Sequence, residues 1–170
     1  MKKISSYEKK QEYARSIKLP EIETIENKYS DKRYIVECIF PEFTTICPKT
    51  HLPDFGTIKI LYEPDKKIIE LKSLKLYFVA FRNIGFFHEN FTNRIMEDII
   101  KVVKPHWIYV EAKLNNRGGI YTTVARFWSR EEKDNIEKTI RLLEGGKRAS
   151  PIPPEFPPTS TLKLLPPSVT

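Results

Sequence analysis

Cys47 stands in the segment EFTTICPKTHLPDFG (42–56), outside any alternating pattern, with His51 four positions on and Asp54 seven positions on. The reactive form of a cysteine is its thiolate, and a thiol pKa of about 8.5 falls beside cations or hydrogen-bond donors. Cys47 is therefore a candidate nucleophile. The equal alternative is a buried loop cysteine packing as a small hydrophobe. Asp54, between Pro53 and Phe55, is a carboxyl among apolar neighbours and a candidate proton donor. The commoner fate of such a residue is to bond its own backbone in a turn. His51 is near enough in sequence for a Cys–His pair. Cys38 falls on the apolar face of a strand and reads as core.

The run Glu70-Leu71-Lys72-Ser73-Leu74-Lys75 puts a carboxylate, two lysines and a serine at a strand-to-helix junction, with Ser73 the expected N-cap. Free N–H groups and lysines there suit a phosphate, although lysines on a helix are more often a solvated face. His88-Glu89 opens a second helix, where a glutamate complements the helix dipole. The sharper reading is a carboxylate that accepts paired hydrogen bonds from the N–H edge of a guanine-like base. Arg117-Gly118-Gly119 is a hairpin turn first and an arginine–phosphate contact second. The three histidines (His51, His88, His106) and two cysteines match no zinc-ligand spacing, so no metal is expected. No Gly-x-Gly-x-x-Gly occurs, so a dinucleotide would bind without a Rossmann loop.

These residues need elements to hold them. RYIVECIF (33–40) alternates, with Tyr34, Val36 and Cys38 opposite Glu37, and Pro41 is expected to end that strand before a loop through Pro48 and Pro53. GTIKILYE (56–63) alternates again, and Pro64-Asp65 turns the chain into a return strand through IIEL (68–71). Leu74, Tyr77, Phe78 and Phe81 follow helical spacing; so do Phe91, Ile95, Ile99 and Val102/Val103, from about His88 to Pro105. HWIYVEAKL (106–114) and IYTTVARFW (120–128) form a hairpin around the Asn115–Gly119 turn. A polar helix near 130–143 is expected to end at Gly145-Gly146. The order is ββααββ, an antiparallel sheet with helices on one face, which is α+β. Its open edges call for pairing with copies of itself, so an oligomer is expected.

Length and charge narrow the classes. A chain of 170 residues fits one compact domain. It divides into an N-terminal arm (1–30), a body (31–145) and a proline-rich C-terminal tail (146–170), the tail expected to be extended or disordered. The net charge of +7 lies mainly at the ends: outside residues 1–20 and 145–170, 20 basic residues face 19 acidic ones. So neutral a body argues against a surface that tracks phosphates, and no direct nucleic-acid binding is expected. With two cysteines, no apolar stretch behind the basic N-terminus and no window long enough to span a bilayer, a cytoplasmic protein with reduced thiols is expected.

Taken together, the fragments resemble a family. ELKSLKLYF (70–78) looks like the signature stretch of the NADPH-dependent 7-cyano-7-deazaguanine reductases, the nitrile reductases of queuosine biosynthesis. EFTTICPKTHLPDFGTI (42–58) resembles their nucleophile loop, and FFHENFTNRI (86–95) and NNRGGI (115–120) follow in the right order. The likeness covers roughly residues 30–128. It implies a tunnelling fold (T-fold) over 31–145, the short single-unit form, rings of subunits stacked in pairs, and active sites at subunit interfaces. It implies Cys47 as the residue forming a covalent thioimide and Asp54 as proton donor. Ile69, Glu70, Leu71, His88 and Glu89 would hold the base, and Lys72 with Arg117 and Gly118 would contact NADPH. One family variant carries serine where Leu71 stands, a change that a backbone contact would survive. Two rivals remain open: a zinc-dependent pterin or purine hydrolase of the same fold, and a basic RNA-binding module.

Overall fold

Period-two alternation builds a five-stranded antiparallel sheet, in the order β2-β3-β5-β6-β7. Its strands are β2 (Val36–Ile46), β3 (Pro53–Glu63), β5 (Trp107–Arg117), β6 (Ile120–Ser129) and β7 (Lys133–Asp134). Two short strands, β1 (Thr24–Glu26) and β4 (Lys67–Ile69), form a separate pair. Three helices complete the chain: α1 (Leu71–Ala80), α2 (His88–Val103) and α3 (Ile136–Arg148), with a 3-10 turn (Phe81–Asn83) between the first two. The structure is a computed structural model that describes residues 16–148. The tail from 149 onward and the first 15 residues lie outside the described residues. The architecture is α+β, as the ββααββ reading requires.

The inward residues of β3 and β5 (Ile58, Ile60, Tyr62, Ile108, Val110, Ala112) meet Leu74, Tyr77 and Phe78 of α1 and Phe91, Ile95 and Ile99 of α2 in one core. Side chains on one strand face and one helix stripe leave water together, which is the main favourable term in folding. Phe43, Phe81 and Phe91 pack ring on ring beneath the start of α2, Phe43 lying 4.8 Å from Phe91 and 5.4 Å from Phe81. Leu19 and Ile22 join this core too, so the described part of the N-terminal stretch is docked on the body. None of the helices among the described residues is long and apolar enough to cross a membrane.

Four details depart from expectation. Pro41 does not end β2; the strand runs to Ile46 through a register shift between Phe40 and Phe43. Within the sheet β2 is an edge strand paired with β3 alone among the described residues, so a proline without an N–H is accommodated at the bulge. The supposed loop 42–56 is thus mostly hairpin, with only 47–52 irregular. The strand at 67–69 returns not onto β3 but onto β1. Ser73 is not the cap of α1: Glu70 is, its carboxylate accepting from the amides of Lys72 (2.8 Å) and Ser73 (2.6 Å). Ser73 sits inside the first turn, donating to the Glu70 carbonyl and accepting from the Glu23 amide. Finally, α3 starts at Ile136, after the short β7, and continues through Gly145 and Gly146. Its position is fixed near its start, where the Thr139 hydroxyl accepts from the Phe127 amide of β6 at 3.0 Å.

Candidate active site

The six residues from Cys47 to Leu52 form a tight turn at the β2–β3 end of the sheet. The Cys47 amide donates to the Leu52 carbonyl and the His51 amide to the Cys47 carbonyl, both at 2.9 Å. His51 closes the turn in the left-handed region, φ 60°. Cys47 is buried here, so it is not an exposed loop thiol. Burial pushes its pKa up, but hydrogen bonds from the Thr50 hydroxyl, the Thr50 and Lys49 amides and the Arg117 side chain outweigh that and bring it down to about 7. Donors directed at sulfur stabilise the anion more than burial disfavours it. A large fraction of Cys47 is therefore thiolate at neutral pH. Cys38 behaves oppositely: burial first, and then Glu37, push its thiol up, as suits a half-buried strand residue.

Asp54, the second residue of β3, is almost wholly enclosed, its side chain 1% exposed. Two elements bring groups to it. From β5, Arg117 places Nε 2.8 Å from Oδ1 and donates from Nη1 to Oδ2 at 3.0 Å. From the start of α2, His88 Nε2 stands 3.4 Å from Oδ2. The Oδ1 contact is short but poorly directed for a hydrogen bond, and Oδ1 is the one buried side-chain polar atom among the described residues without a hydrogen-bond partner. A buried carboxylate oxygen left with open capacity is one that a ligand can satisfy.

α2 arrives at this point because the chain before it is pinned to the end of β2. The Ile46 amide donates to the Ile84 carbonyl (3.0 Å), the Phe86 amide to the Ile46 carbonyl (3.1 Å), and the buried Thr45 hydroxyl to the Ile84 carbonyl (2.8 Å). Gly85 lies against Pro48, so His88 and Glu89 open α2 beside the Cys47 turn. The N-cap residue, Phe87, offers no side-chain acceptor to the helix. Glu89 is exposed, and its carboxylate accepts no hydrogen bond among the described residues.

Ile69, Glu70, Leu71 and Lys72 lie elsewhere. The Ile69 amide donates to the Tyr62 hydroxyl at 3.1 Å, which ties this group to the far end of β3. Eight residues separate Asp54 from Tyr62, about 26 Å of strand at roughly 3.3 Å per residue. The structure therefore brings Cys47, Asp54, His88, Glu89 and Arg117 to one end of the subunit and Ile69–Lys72 to the other. Two of the amides expected to receive a phosphate at the start of α1 are already taken by the Glu70 carboxylate. Those two hydrogen bonds also hold the Glu70 carboxyl below its usual range. Leu71 and Lys72 are exposed.

Thr50 and Thr45 are site residues that the sequence reading did not single out. The signal for Thr50 was its position three residues after Cys47 in a segment too short to leave the thiol. Nothing in the sequence marked Thr45, whose role depends on the contact with Ile84. Among the described residues no group of three or more His, Cys, Asp or Glu side chains is placed to hold a metal ion.

Fold and site thus define a class: an α+β chain with a low-pKa cysteine at a sheet end, beside a buried carboxylate and a helix-borne His-Glu pair. The model of the QueF-like protein family matches residues 53–134. An NADPH-dependent 7-cyano-7-deazaguanine reductase of Chlorobaculum tepidum is 52% identical over 112 residues, which cover 66% of this chain and 96% of that protein. One from Chloroherpeton thalassium is 50% identical over 111 residues, covering 65% and 96%. The chain belongs to the NADPH-dependent 7-cyano-7-deazaguanine reductase family. The apo crystal structure of the archaeosine synthase QueF-Like shares the fold, with TM-score 0.52 and 18% identity over 55% of this chain and 91% of that one.

Proposed function

We propose that this chain reduces the nitrile of 7-cyano-7-deazaguanine to the aminomethyl group of 7-aminomethyl-7-deazaguanine, with NADPH, in the cytoplasmic supply of a modified tRNA base. The observation that carries the reading is the Cys47 thiol, brought to about 7 within a turn adjoining Asp54 and His88. A nitrile carbon accepts hydride poorly. Addition of the Cys47 sulfur to that carbon, with the thiol proton passing through the Asp54 carboxyl to the nitrogen, makes a thioimide that accepts hydride readily. Collapse of the reduced adduct returns the thiolate and leaves an imine, and His88 stands within reach of Asp54 to help replace the proton. Glu89, its oxygens open, takes the N–H edge of the base. Four electrons separate nitrile from amine, so two NADPH supply the hydrides. Lys72 and the Arg117-Gly118 turn suit that cofactor: an ammonium and a guanidinium answer its phosphates, and among the described residues nothing lies within 4 Å of the Cβ position at Gly118.

The catalytic unit in this reading is a tunnelling-fold domain over 31–145, with the arm 1–30 and the tail 146–170 outside it. Sites between subunits of a stacked ring follow from the same reading. They are supported by the roughly 26 Å of β3 that separates Asp54 from the Ile69–Lys72 group within one chain. Copies packed so that one chain's Ile69–Lys72 meets another's Cys47 would close the site and shield the imine from water. The test is NADPH oxidation by the purified protein with 7-cyano-7-deazaguanine and no added metal. Two NADPH consumed per nitrile supports the reading. No consumption, with the base still bound, overturns it in favour of the zinc hydrolase rival.

A further inference from the structure

We infer that Arg117 is a positioning residue of this site: its guanidinium, carried across the sheet end by the β5–β6 hairpin, orients the Asp54 carboxylate and supports the Cys47 thiolate before any cofactor binds. The inference rests on the reading of Cys47 and Asp54 as the reacting pair, and gives Arg117 a role distinct from holding the cofactor.

Geometry carries it. Arg117 reaches both oxygens of an enclosed carboxylate, at 2.8 and 3.0 Å, and its Nη2 lies 3.4 Å from the hydroxyl oxygen of Thr50. A planar guanidinium can address two oxygens at once, which a lysine ammonium cannot. The hairpin is shaped to make that reach. Gly56 of β3 pairs with Leu114 of β5, so Arg117 lies just beyond the level of Asp54. A bulge between Leu114 and Arg117 re-aims the strand tip. Gly118 and Gly119 turn the chain at φ 56° and 86°, and the Asn116 side chain accepts from the Gly119 amide at 2.8 Å. A Cβ at Gly56 would come within 2.4 Å of the Lys113 carbonyl, so the approach of β5 to β3 that brings Arg117 to Asp54 depends on glycine there.

The charged and titratable groups about the thiol are few: Lys49 and His51 on its own turn, Asp54 on β3, His88 and Glu89 on α2, and Arg117 on β5. Of these side chains, Arg117 is the one that holds the carboxylate and also helps lower the thiol pKa. Its hydrogen bond joins those of Thr50 and Lys49 in lowering the thiol pKa. A cofactor-contact role alone would require none of this.

The experiment follows Cys47 alkylation by iodoacetamide against pH in the full-length, cofactor-free protein, with peptide mapping to separate Cys47 from Cys38. Arg117→Met should raise the midpoint by on the order of one pH unit, so the rate at neutral pH falls several-fold while the alkaline plateau is kept. Arg117→Lys should keep the midpoint near that of the unaltered protein, yet lose at least about tenfold in kcat at saturating NADPH, because one ammonium cannot span Asp54 and the Thr50 hydroxyl as the planar guanidinium does. An unchanged midpoint in Arg117→Met overturns the inference. Normal kcat with only a raised KM for NADPH in Arg117→Lys also overturns it, and leaves Arg117 a cofactor contact alone. If Arg117→Met does not fold, the kcat of Arg117→Lys decides. Failure of the underlying reading shows separately, as the absence of a nitrile adduct on Cys47 in the unaltered protein.

Discussion

The two ends of this subunit treat their acidic residues differently. At the Cys47 end, Asp54 draws an arginine from β5 and a histidine from α2, and one of its buried oxygens still lacks a hydrogen bond. At the other end, Glu70 is satisfied by the first amides of its own helix. Local hydrogen bonds complete the Glu70 end without help from distant sequence. The Cys47 end is assembled by register, a close-approach glycine and a pinned helix start, and stays chemically open. A carboxylate that closes its own helix serves the fold first, whereas Asp54, reached from two other elements, keeps one buried oxygen without a hydrogen bond among the described residues.

The largest expected effect separates the ends by subunit. Cys47→Ala should be inactive, and Lys72→Ala should be deficient at low NADPH. Mixed oligomers made by refolding the two together should regain activity in up to about a quarter of sites, by random assortment across a shared interface. No recovery on mixing breaks the proposal that the ends meet between chains. Next, Glu89→Ala should weaken base binding by about 10- to 100-fold, the scale of a lost charge-assisted pair of hydrogen bonds, with little change in NADPH affinity or melting temperature. Equal losses for both ligands in calorimetry count against its role.

Gly56→Ala should destabilise the protein by about 1–3 kcal/mol as the added methyl forces β5 from β3, and raise the Cys47 alkylation midpoint by drawing Arg117 away. Denaturant unfolding and the pH profile read the two effects separately. Thr50→Val should move the same midpoint upward by removing one donor. The sign follows from a depressed folded-state value. Cys47 thiolate contributes stability above the unfolded thiol pKa of about 8.5, and that contribution is lost as pH falls through about 7. The smallest effect is at the other end: Glu70→Ala lowers the melting temperature modestly, and Glu70→Asp, a preferred N-cap residue, restores it.

Much of this was legible in the sequence, because alternation and helical spacing are local signals. The faces of β2, β3, α1 and α2 follow from residues such as Ile58, Ile60, Phe91 and Ile95, and all four are in the core. The misreadings arose where neighbours decide. Pro41 stops a central strand but not an edge one, and the sequence does not say which strand is the edge. Glu70 outcompeted Ser73 for the cap because Ser73 bonds Glu23 of the preceding segment, fifty positions away. In the site, Cys47, Asp54, His88, Glu89 and Arg117 were all named from residue type and resemblance. That Arg117 sits on Asp54 could not be read, since it depends on the β3–β5 register and on the space that Gly56 leaves.

The most direct measurement is intact-protein mass spectrometry with 7-cyano-7-deazaguanine and no NADPH. The account predicts that the unaltered protein gains the mass of one base per chain, mapped to Cys47, and that NADPH discharges it as the amine. No adduct on the unaltered protein, or an equally stable one on Cys47→Ala, would contradict the account.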